Sequence, residues 1–322
     1  MKAAVLGAGG FIGGHLVQHL LLEGYEVNAV DIKDVHKWYQ AFEEAKNYRL
    51  DLSTLRTCKL SILDCDVVFN LAANMGGMGF IASHRVECME TAAVTLNTLR
   101  AAYEEQVDRF FYASSACVYP DYLQTETQVS LAEVDAWPAD PEPGYGLEKL
   151  YGEELAKFWR LEQGLNTRVA RFHNIFGPYG TYDGGREKAP AAICRKVAQC
   201  VLTGDDAIEI WGDGEQTRSF LYVDECIDGI MKLTFSDIVD PINLGSDELV
   251  SINRLVEMVE EIAGIPRLHR VYNLDAPQGV RGRCSDNALI EEKLGWRPSA
   301  ALYDGLEKTY RWIYDQISVR TK

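Results

Sequence analysis

Residues 3–13 read Ala3-Ala4-Val5-Leu6-Gly7-Ala8-Gly9-Gly10-Phe11-Ile12-Gly13. An apolar run of strand length meets a glycine turn and then the start of an apolar helix. This predicts a strand buried on both faces, followed by a helix from Phe11 to Glu23 that Gly24 closes. Each glycine has a task in that context. Gly7 permits the tight turn, Gly10 lets backbone approach a pyrophosphate, and Gly13 lets helix and strand pack closely. The helix N-terminus then offers unpaired N–H groups to the phosphates. A second strand is predicted from Glu26 to Asp31, which ends 18 residues after Gly13. A carboxylate there accepts hydrogen bonds from the adenosine ribose and repels a 2′-phosphate, so NAD is favoured over NADP. Lys33 argues mildly the other way, unless it is a solvated surface lysine.

The same rhythm continues outward. Val67 to Leu71, Arg109 to Ser114 and Arg168 to His173 are strand-like runs. Cys88 to Tyr103 and Tyr145 to Leu161 have helical periodicity, the second with Leu147, Leu150, Tyr151, Leu155 and Phe158 as its expected buried stripe. Strand and helix in alternation predict an α/β fold, a Rossmann-type doubly wound parallel sheet. Beyond about residue 172 the pattern gives way to glycine- and proline-rich loops. We therefore expect a Rossmann domain over 1–172, with returns near 216–245, and a smaller C-terminal substrate-binding lobe over 173–322.

Composition narrows the function classes. The 322 residues carry 32 Lys and Arg against 48 Asp and Glu, a formal charge of −16. So acidic a surface repels nucleic-acid backbone and anionic lipid, and neither is an expected partner. No apolar run is long enough to span a bilayer. Nothing at the N-terminus reads as an export signal, and the eight cysteines form no regular framework. Free thiols in a cytoplasmic protein are the expectation. His15 and His19 have zinc-helix spacing but lack the intervening Glu and a third ligand, so no metal is expected.

Three further motifs carry chemistry. Tyr145-Gly146-Leu147-Glu148-Lys149 puts Tyr145 and Lys149 on one helix face, and of 16 tyrosines only this one has Lys four residues on. An ammonium beside a phenol favours phenolate and makes the tyrosine a usable base. Ser114-Ser115-Ala116-Cys117-Val118-Tyr119 follows a strand, where loops of open parallel sheets form the ligand crevice. Serine there can bond a substrate hydroxyl, and Cys117 is either a small buried residue or a thiol that cations convert to a base. Gly184-Gly185-Arg186-Glu187-Lys188, Arg195-Lys196, Gln216-Thr217-Arg218 and Arg281-Gly282-Arg283 place cations in the second lobe. In an acidic chain they suggest an anion pocket that would suit a diphosphate.

Together with Asn70 to Gly79, Phe110 to Pro120, Asp135 to Pro138, Arg171 to Pro178, Gly184 to Pro190, Trp211 to Phe220 and Gly279 to Asn287, these motifs resemble the extended short-chain dehydrogenase/reductase family of NAD-dependent epimerases and dehydratases. Within it the resemblance is to the GDP-mannose 3,5-epimerase group and covers nearly the whole chain. It implies that Tyr145, aided by Lys149, takes the C4 hydroxyl proton while NAD⁺ takes hydride. The 4-keto sugar then has acidic hydrogens at C3 and C5, which Cys117 and Lys188 remove and return from opposite ring faces. Re-reduction at C4 would give GDP-L-galactose and GDP-L-gulose. The resemblance adds Phe11, Ile12, Asp51 and Ala72 to the cofactor site. It assigns Gly76 and Ser115 to the sugar, and Asn174, Glu187, Lys188, Ala189, Lys196, Gln216, Arg218 and Arg281 to the GDP-sugar substrate. It also implies a homodimer joined by a four-helix bundle, built from the helices around Cys88–Tyr103 and Tyr145–Leu161.

Two departures from the group are visible. Its usual Asp is Asn74 here, and the C-terminal tail of its plant members is absent from a sequence ending at Lys322. Three other readings stand beside this one. A 4,6-dehydratase needs a Thr-Asp-Glu arrangement where this chain has Cys117-Val118-Tyr119. A C4-epimerase of another GDP-sugar needs only Tyr145 and Lys149, leaving Cys117 and Lys188 without a task. A non-catalytic NAD-sensing protein would not need the Tyr145–Lys149 pair.

Overall fold

The computed structural model describes residues 1–320. Its centre is a seven-stranded sheet in which every pairing is parallel. The opening strand β1 (Lys2–Leu6) lies between β2 (Glu26–Asp31) and β4 (Val67–Asn70), and β3 (Lys46–Arg49) forms the edge beyond β2. On the other side β4 is followed by β5 (Arg109–Ser115), then Thr167–Phe172, then Ile242–Leu244. Chain direction reverses its progress between β1 and β4, and such a switch point opens a crevice at the strands' carboxyl ends. The core strands are apolar on both faces: Ala3, Ala4, Val5 and Leu6 are fully buried, as are Val67, Val68 and Phe69. Two hydrophobic clusters cover the faces, one around Leu16, Val223 and Ile230, the other around Ile62, Leu99 and Ala156. The sheet is therefore doubly wound, as expected.

Lys46-Asn47-Tyr48-Arg49 was not anticipated as a strand. It sits at the sheet edge, half exposed, and lacks the apolar run that marks the inner strands. The expected helix Cys88–Tyr103 is two helices, Arg85–Met89 and Thr91–Glu104, meeting at Glu90.

The helix Tyr145–Gln163 corrects a second expectation. Its buried side carries Tyr145, Gly146, Glu148, Lys149, Leu150, Gly152, Glu153 and Ala156. Leu147, Tyr151, Phe158 and Leu161 are instead exposed. The reason is close approach. A Cβ at Gly152 would meet the Tyr112 hydroxyl, and one at Gly146 would meet the Cys117 carbonyl, so only small residues fit there. The charged residues turned inward have partners. Arg171 donates Nε to Glu153 Oε1 at 2.9 Å and Nη2 to Oε2 at 2.7 Å. Breaking one side of so buried a pair costs about 3–5 kcal/mol.

The remaining strands are short. Leu249–Ser251, Thr217–Ser219, Gly282–Ser285 and Ser130–Leu131 form one sheet. Two further pairs, Leu221–Tyr222 with Ile175–Phe176 and His269–Asn273 with Ala207–Trp211, complete the fold. The sheet built on Gly282–Ser285 draws strands from both halves of the chain, which brings the C-terminal region over the loop after β5.

Candidate active site

The glycine turn is built as its sequence reads. Gly7 has φ +91°, and a Cβ there would lie 2.9 Å from the Ala72 nitrogen. A Cβ at Gly13 would meet the Gly7 carbonyl, so the helix α1 (Phe11–Leu22) can approach the turn only with glycine there. Gly10 caps α1 without a side-chain hydrogen bond, leaving the first N–H groups, at Phe11 and Ile12, for an anion. Asp31 is buried at the end of β2 and accepts the Lys33 backbone N–H at 2.9 Å through one oxygen. Lys33 is not a free surface charge: its ammonium donates to the Gly9 carbonyl at 3.1 Å and braces the turn. Asp51 lies two residues past Arg49, which pairs with Asp31, and it accepts the Ser53 N–H at 2.9 Å. Ala72 follows β4 into the same crevice. A cradle with no room for side chains, an uncapped helix N-terminus and a carboxylate beyond it fit a dinucleotide.

Tyr145 opens its helix directly beside Cys117. The two share an apolar cluster with Phe80, Ile81 and Cys88. Lys149 is almost wholly buried, with Nζ 5.7 Å from the Tyr145 ring centre and 4.9 Å from that of Tyr112. Its ion partner is Glu148, 3.5 Å away and fully buried. Glu148 in turn accepts from the Thr95 hydroxyl at 3.2 Å and from Tyr112 at 3.5 Å. From the sequence, Lys149 is expected to draw the Tyr145 phenol downward. Here burial pushes that phenol well above the ordinary tyrosine range, Cys117 and Glu148 push the same way, and the Ser115 hydroxyl opposes them. Much of the lysine's field is spent on Glu148. The signal for Glu148 lay inside the Tyr-Lys motif, in the residue that precedes the lysine.

Cys117 is buried, its N–H bonded to Ser115 Oγ at 3.2 Å. Arg283, also buried, donates Nη1 to Cys117 Sγ at 3.5 Å and Nε to Gln124 Oε1 at 2.5 Å. Lys188 is the N-cap residue of the helix Ala189–Thr203, and its side chain makes no capping hydrogen bond. Burial lowers the Lys188 ammonium's pKa, Cys117 and Cys226 raise it, and Arg283 lowers it again. Lys188 and Cys117 therefore lie within each other's field. Arg283 was visible only as one end of a basic triplet.

The other cations are more committed than the sequence suggested. Arg281 spans both oxygens of Asp213 at 2.9 Å. Lys196 holds the Glu209 carbonyl at 2.8 Å and its carboxylate at 3.2 Å. Arg195 bonds Glu187, whose other oxygen takes the Gly185 N–H. Arg218 serves the carbonyls of Thr217, Gln278 and Val280 and has no carboxylate partner among the described residues. Burial and Arg283 push it down to about 9, against Cys117. Gln216 donates to Trp211 O at 2.7 Å while its own side-chain oxygen is buried and unbonded. Asn174, at φ +47°, donates to the Ser219 carbonyl at 3.0 Å. Gly76 lies against Phe80 and Arg186, and Gly77 donates to the Arg186 carbonyl at 3.0 Å. Preformed ion pairs hold this lobe in shape, and an incoming anion would have to compete with Asp213 and Glu209.

Residues 3–245 match the model of the NAD dependent epimerase/dehydratase family. The chain belongs to this family of NAD-dependent epimerases and dehydratases. NAD is thus the cofactor of this family member. GDP-mannose 3,5-epimerase 1 of rice (Oryza sativa subsp. indica) is 49% identical, covering 98% of this chain and 82% of the relative. The Arabidopsis thaliana GDP-mannose 3,5-epimerase is 48% identical, over 98% of this chain and 83% of its own. Among solved structures, the Bacillus cereus UDP-glucuronic acid 4-epimerase, bound to UDP-glucuronic acid and NAD, superposes with a TM-score of 0.82. Its identity is 26%, and the match covers 98% of this chain and all of that one. The Thermotoga maritima UDP-glucose 4-epimerase gives 0.87 at 24% identity, over 98% and 100% of the two chains, and shares the fold.

Proposed function

We propose that this protein is an isomerase, a GDP-mannose 3,5-epimerase that converts GDP-mannose into GDP-L-galactose and GDP-L-gulose. The observation that carries the reading is the second pair of proton-handling groups. Cys117 packs in one cluster with Tyr145, and Lys188 lies within the field of Cys117. A C4-epimerase has no use for them, whereas inversion at a carbon next to a ketone needs one group to remove a proton and another to return it.

Tyr145, assisted by Lys149, accepts the C4 hydroxyl proton. Gly7, Gly10, Phe11, Ile12, Gly13, Asp31, Asp51 and Ala72 would hold NAD⁺, which would supply reversible hydride acceptance at C4. The C4 carbonyl acidifies the hydrogens at C3 and C5, since either carbanion is an enolate. One of Cys117 and Lys188 then removes the ring proton and the other delivers its own to the opposite face of the carbon, and burial helps by easing the lysine's release of its proton. Ser115 and Gly76 face the sugar. Asn174, Lys196, Gln216, Arg218 and Arg281 bind the substrate chiefly around the nucleotide diphosphate, and Glu187 and Ala189 complete the substrate contacts. The Rossmann unit is taken as 1–172 with 216–245, and the rest as substrate lobe.

A homodimer in the cytoplasm completes the proposal. Leu147, Tyr151, Phe158 and Leu161 on one helix, and Val86, Met89, Leu96 and Tyr103 on its neighbours, are exposed. An apolar stripe of this kind suits a four-helix seam between two copies. Among the described residues no helix is long and apolar enough to cross a membrane.

The test is proton NMR of GDP-mannose incubated with the NAD-loaded enzyme in D₂O. Deuterium should enter at C3 and C5, with new galactose- and gulose-configured signals. A sample with NAD bound that exchanges neither position would refute the reading.

A further inference from the structure

Arg218 and Arg283 are direct neighbours on two parallel strands, so their side chains leave the sheet on the same face. Two guanidiniums side by side repel unless an anion joins them. Neither has a carboxylate within ion-pair distance among the described residues. Arg218 is occupied by three backbone carbonyls. Arg283 has only the neutral amide oxygen of Gln124 and the sulfur of Cys117. Gln124 is itself buried and pinned, donating to the carbonyls of Tyr119 at 3.2 Å and Pro120 at 3.0 Å. Its own carbonyl takes the Arg281 N–H at 2.9 Å and that of Gly282 at 3.3 Å. A Cβ at Gly282 would collide with the Glu126 carbonyl, so glycine there lets the strand come close enough for Arg283 to reach the thiol.

We propose that Arg283, oriented by Gln124, is the positioning residue that holds the Cys117 sulfur and stabilises the anion left when the thiol gives up its proton. The proposal deepens the reading of Cys117 as a proton-transfer group and rests on that reading. The sulfur gives its proton to solvent, and the guanidinium hydrogen bond and charge stabilise the anion left behind. The other groups facing the sulfur are Arg218 and Lys188, both cationic in their ordinary state, and the neutral phenol of Tyr145. The nearest turn adds Glu142, whose N–H bonds the Cys117 carbonyl and whose carboxylate is turned to the Gly146 N–H at 3.0 Å. Cations thus outnumber anions around the thiol. An Arg is better suited than a Lys because its fork can meet the amide and the sulfur together.

The experiment is alkylation of the full-length enzyme by iodoacetamide from pH 6 to pH 10, followed at Cys117 by peptide mass spectrometry. In the wild type Cys117 should react at neutral pH while the other cysteines, for which no guanidinium hydrogen bond is found among the described residues, lag. In Arg283→Gln its profile should move up by about one pH unit, with the rate at pH 7 falling about tenfold. Arg283→Lys should recover part of that loss, which a variant that merely folds badly would not. Gln124→Leu should slow the reaction by a smaller factor at unchanged circular dichroism. If Cys117 reacts with the same pH profile in wild type and Arg283→Gln, the assignment is wrong. Because the readout needs no substrate, this result is separate from the D₂O exchange that tests the enzyme's reaction.

Discussion

Tyr145, Glu148 and Lys149 belong to one turn of one helix, while Cys117, Lys188 and Arg283 come from three segments far apart in the chain. Both groups are proposed to handle protons, yet they are built on opposite plans. The first is a contiguous motif whose geometry follows from helix spacing alone. The second exists only when the C-terminal strand Gly282–Ser285 packs over the loop after β5. A contiguous motif survives any fold that keeps its helix. An assembled one can be tuned or lost by changes anywhere along three segments. This matches the chemistry proposed for each: oxidation at C4 needs only the helix motif and the cofactor, and inversion at C3 and C5 needs the assembled corner as well.

The comparison breaks most sharply at Tyr145. Tyr145→Phe should lower every reaction, including deuterium exchange at C3 and C5, by about 10³-fold, because losing a positioned general base typically costs about 10²–10⁴-fold and the later steps need the ketone. The fold should hold, since the ring stays in its cluster. Exchange persisting in this variant would mean that the ring protons are lost without oxidation at C4.

Cys117→Ala separates the two corners. Inversion should fall by about 10³-fold, while a single-turnover absorbance change from bound NADH still appears on adding GDP-mannose. Normal epimerisation by this variant would remove the thiol from the mechanism and leave Lys188 to be explained.

Legibility in the sequence divides along the same line. The glycine cradle, Asp31, and the Tyr145–Lys149 pair are local patterns, and residues 3–31 and 145–149 suffice to read them. The inner strands are legible because burial on both faces forces them to be apolar. The edge strand Lys46–Arg49 is not, because its environment makes no such demand. The stripe on the Tyr145 helix misled for a related reason. Periodicity assumes that apolar means inside, but this helix hides Glu148, Lys149 and Glu153 with partners and leaves apolar residues outside. The cations of the second lobe were visible as charges, whereas Asp213 and Glu209, which engage two of them, are distant in sequence. No spacing rule reaches from Cys117 to Arg283.

Glu148→Gln sharpens the comparison within the contiguous motif. Glu148 is one of the groups that hold the Tyr145 phenol high, after burial and Cys117. The base form of Tyr145 is the active one, so kcat rises with pH through the phenol's titration. Removing the Glu148 charge lowers that titration and should move the acidic limb of the pH profile to lower pH. The same change leaves Lys149 buried without its anion, so stability should fall by about 3 kcal/mol, and turnover at the wild-type optimum by about tenfold. A limb that stays in place would show that Glu148 is coupled to the lysine alone.

The smallest effect expected is at Asn74, which ties the assembled corner to the loop before it. Its amide donates to Glu87 at 3.2 Å and its oxygen accepts from Arg186 at 2.8 Å. Arg186 also bonds the Met75 carbonyl at 3.2 Å and lies 3.7 Å above the Phe80 ring, two residues before Lys188. An amide suits this place because it has a donor for one neighbour and an acceptor for the other. Asp, the usual residue of the group the chain resembles, would keep the bond to Arg186 but present a second carboxylate to Glu87. All three side chains reach solvent in part, so the penalty is that of a surface charge pair, about 0.5–1 kcal/mol. Asn74→Asp should thus raise KM by no more than about threefold to fivefold at unchanged kcat, an effect that Glu87→Gln should reverse by removing the opposing charge. A fall of a hundredfold in kcat, unrelieved by Glu87→Gln, would instead put residue 74 in contact with the reacting sugar. Position 74 would then set which ring the Cys117 corner can invert, rather than merely hold the loop that carries Lys188.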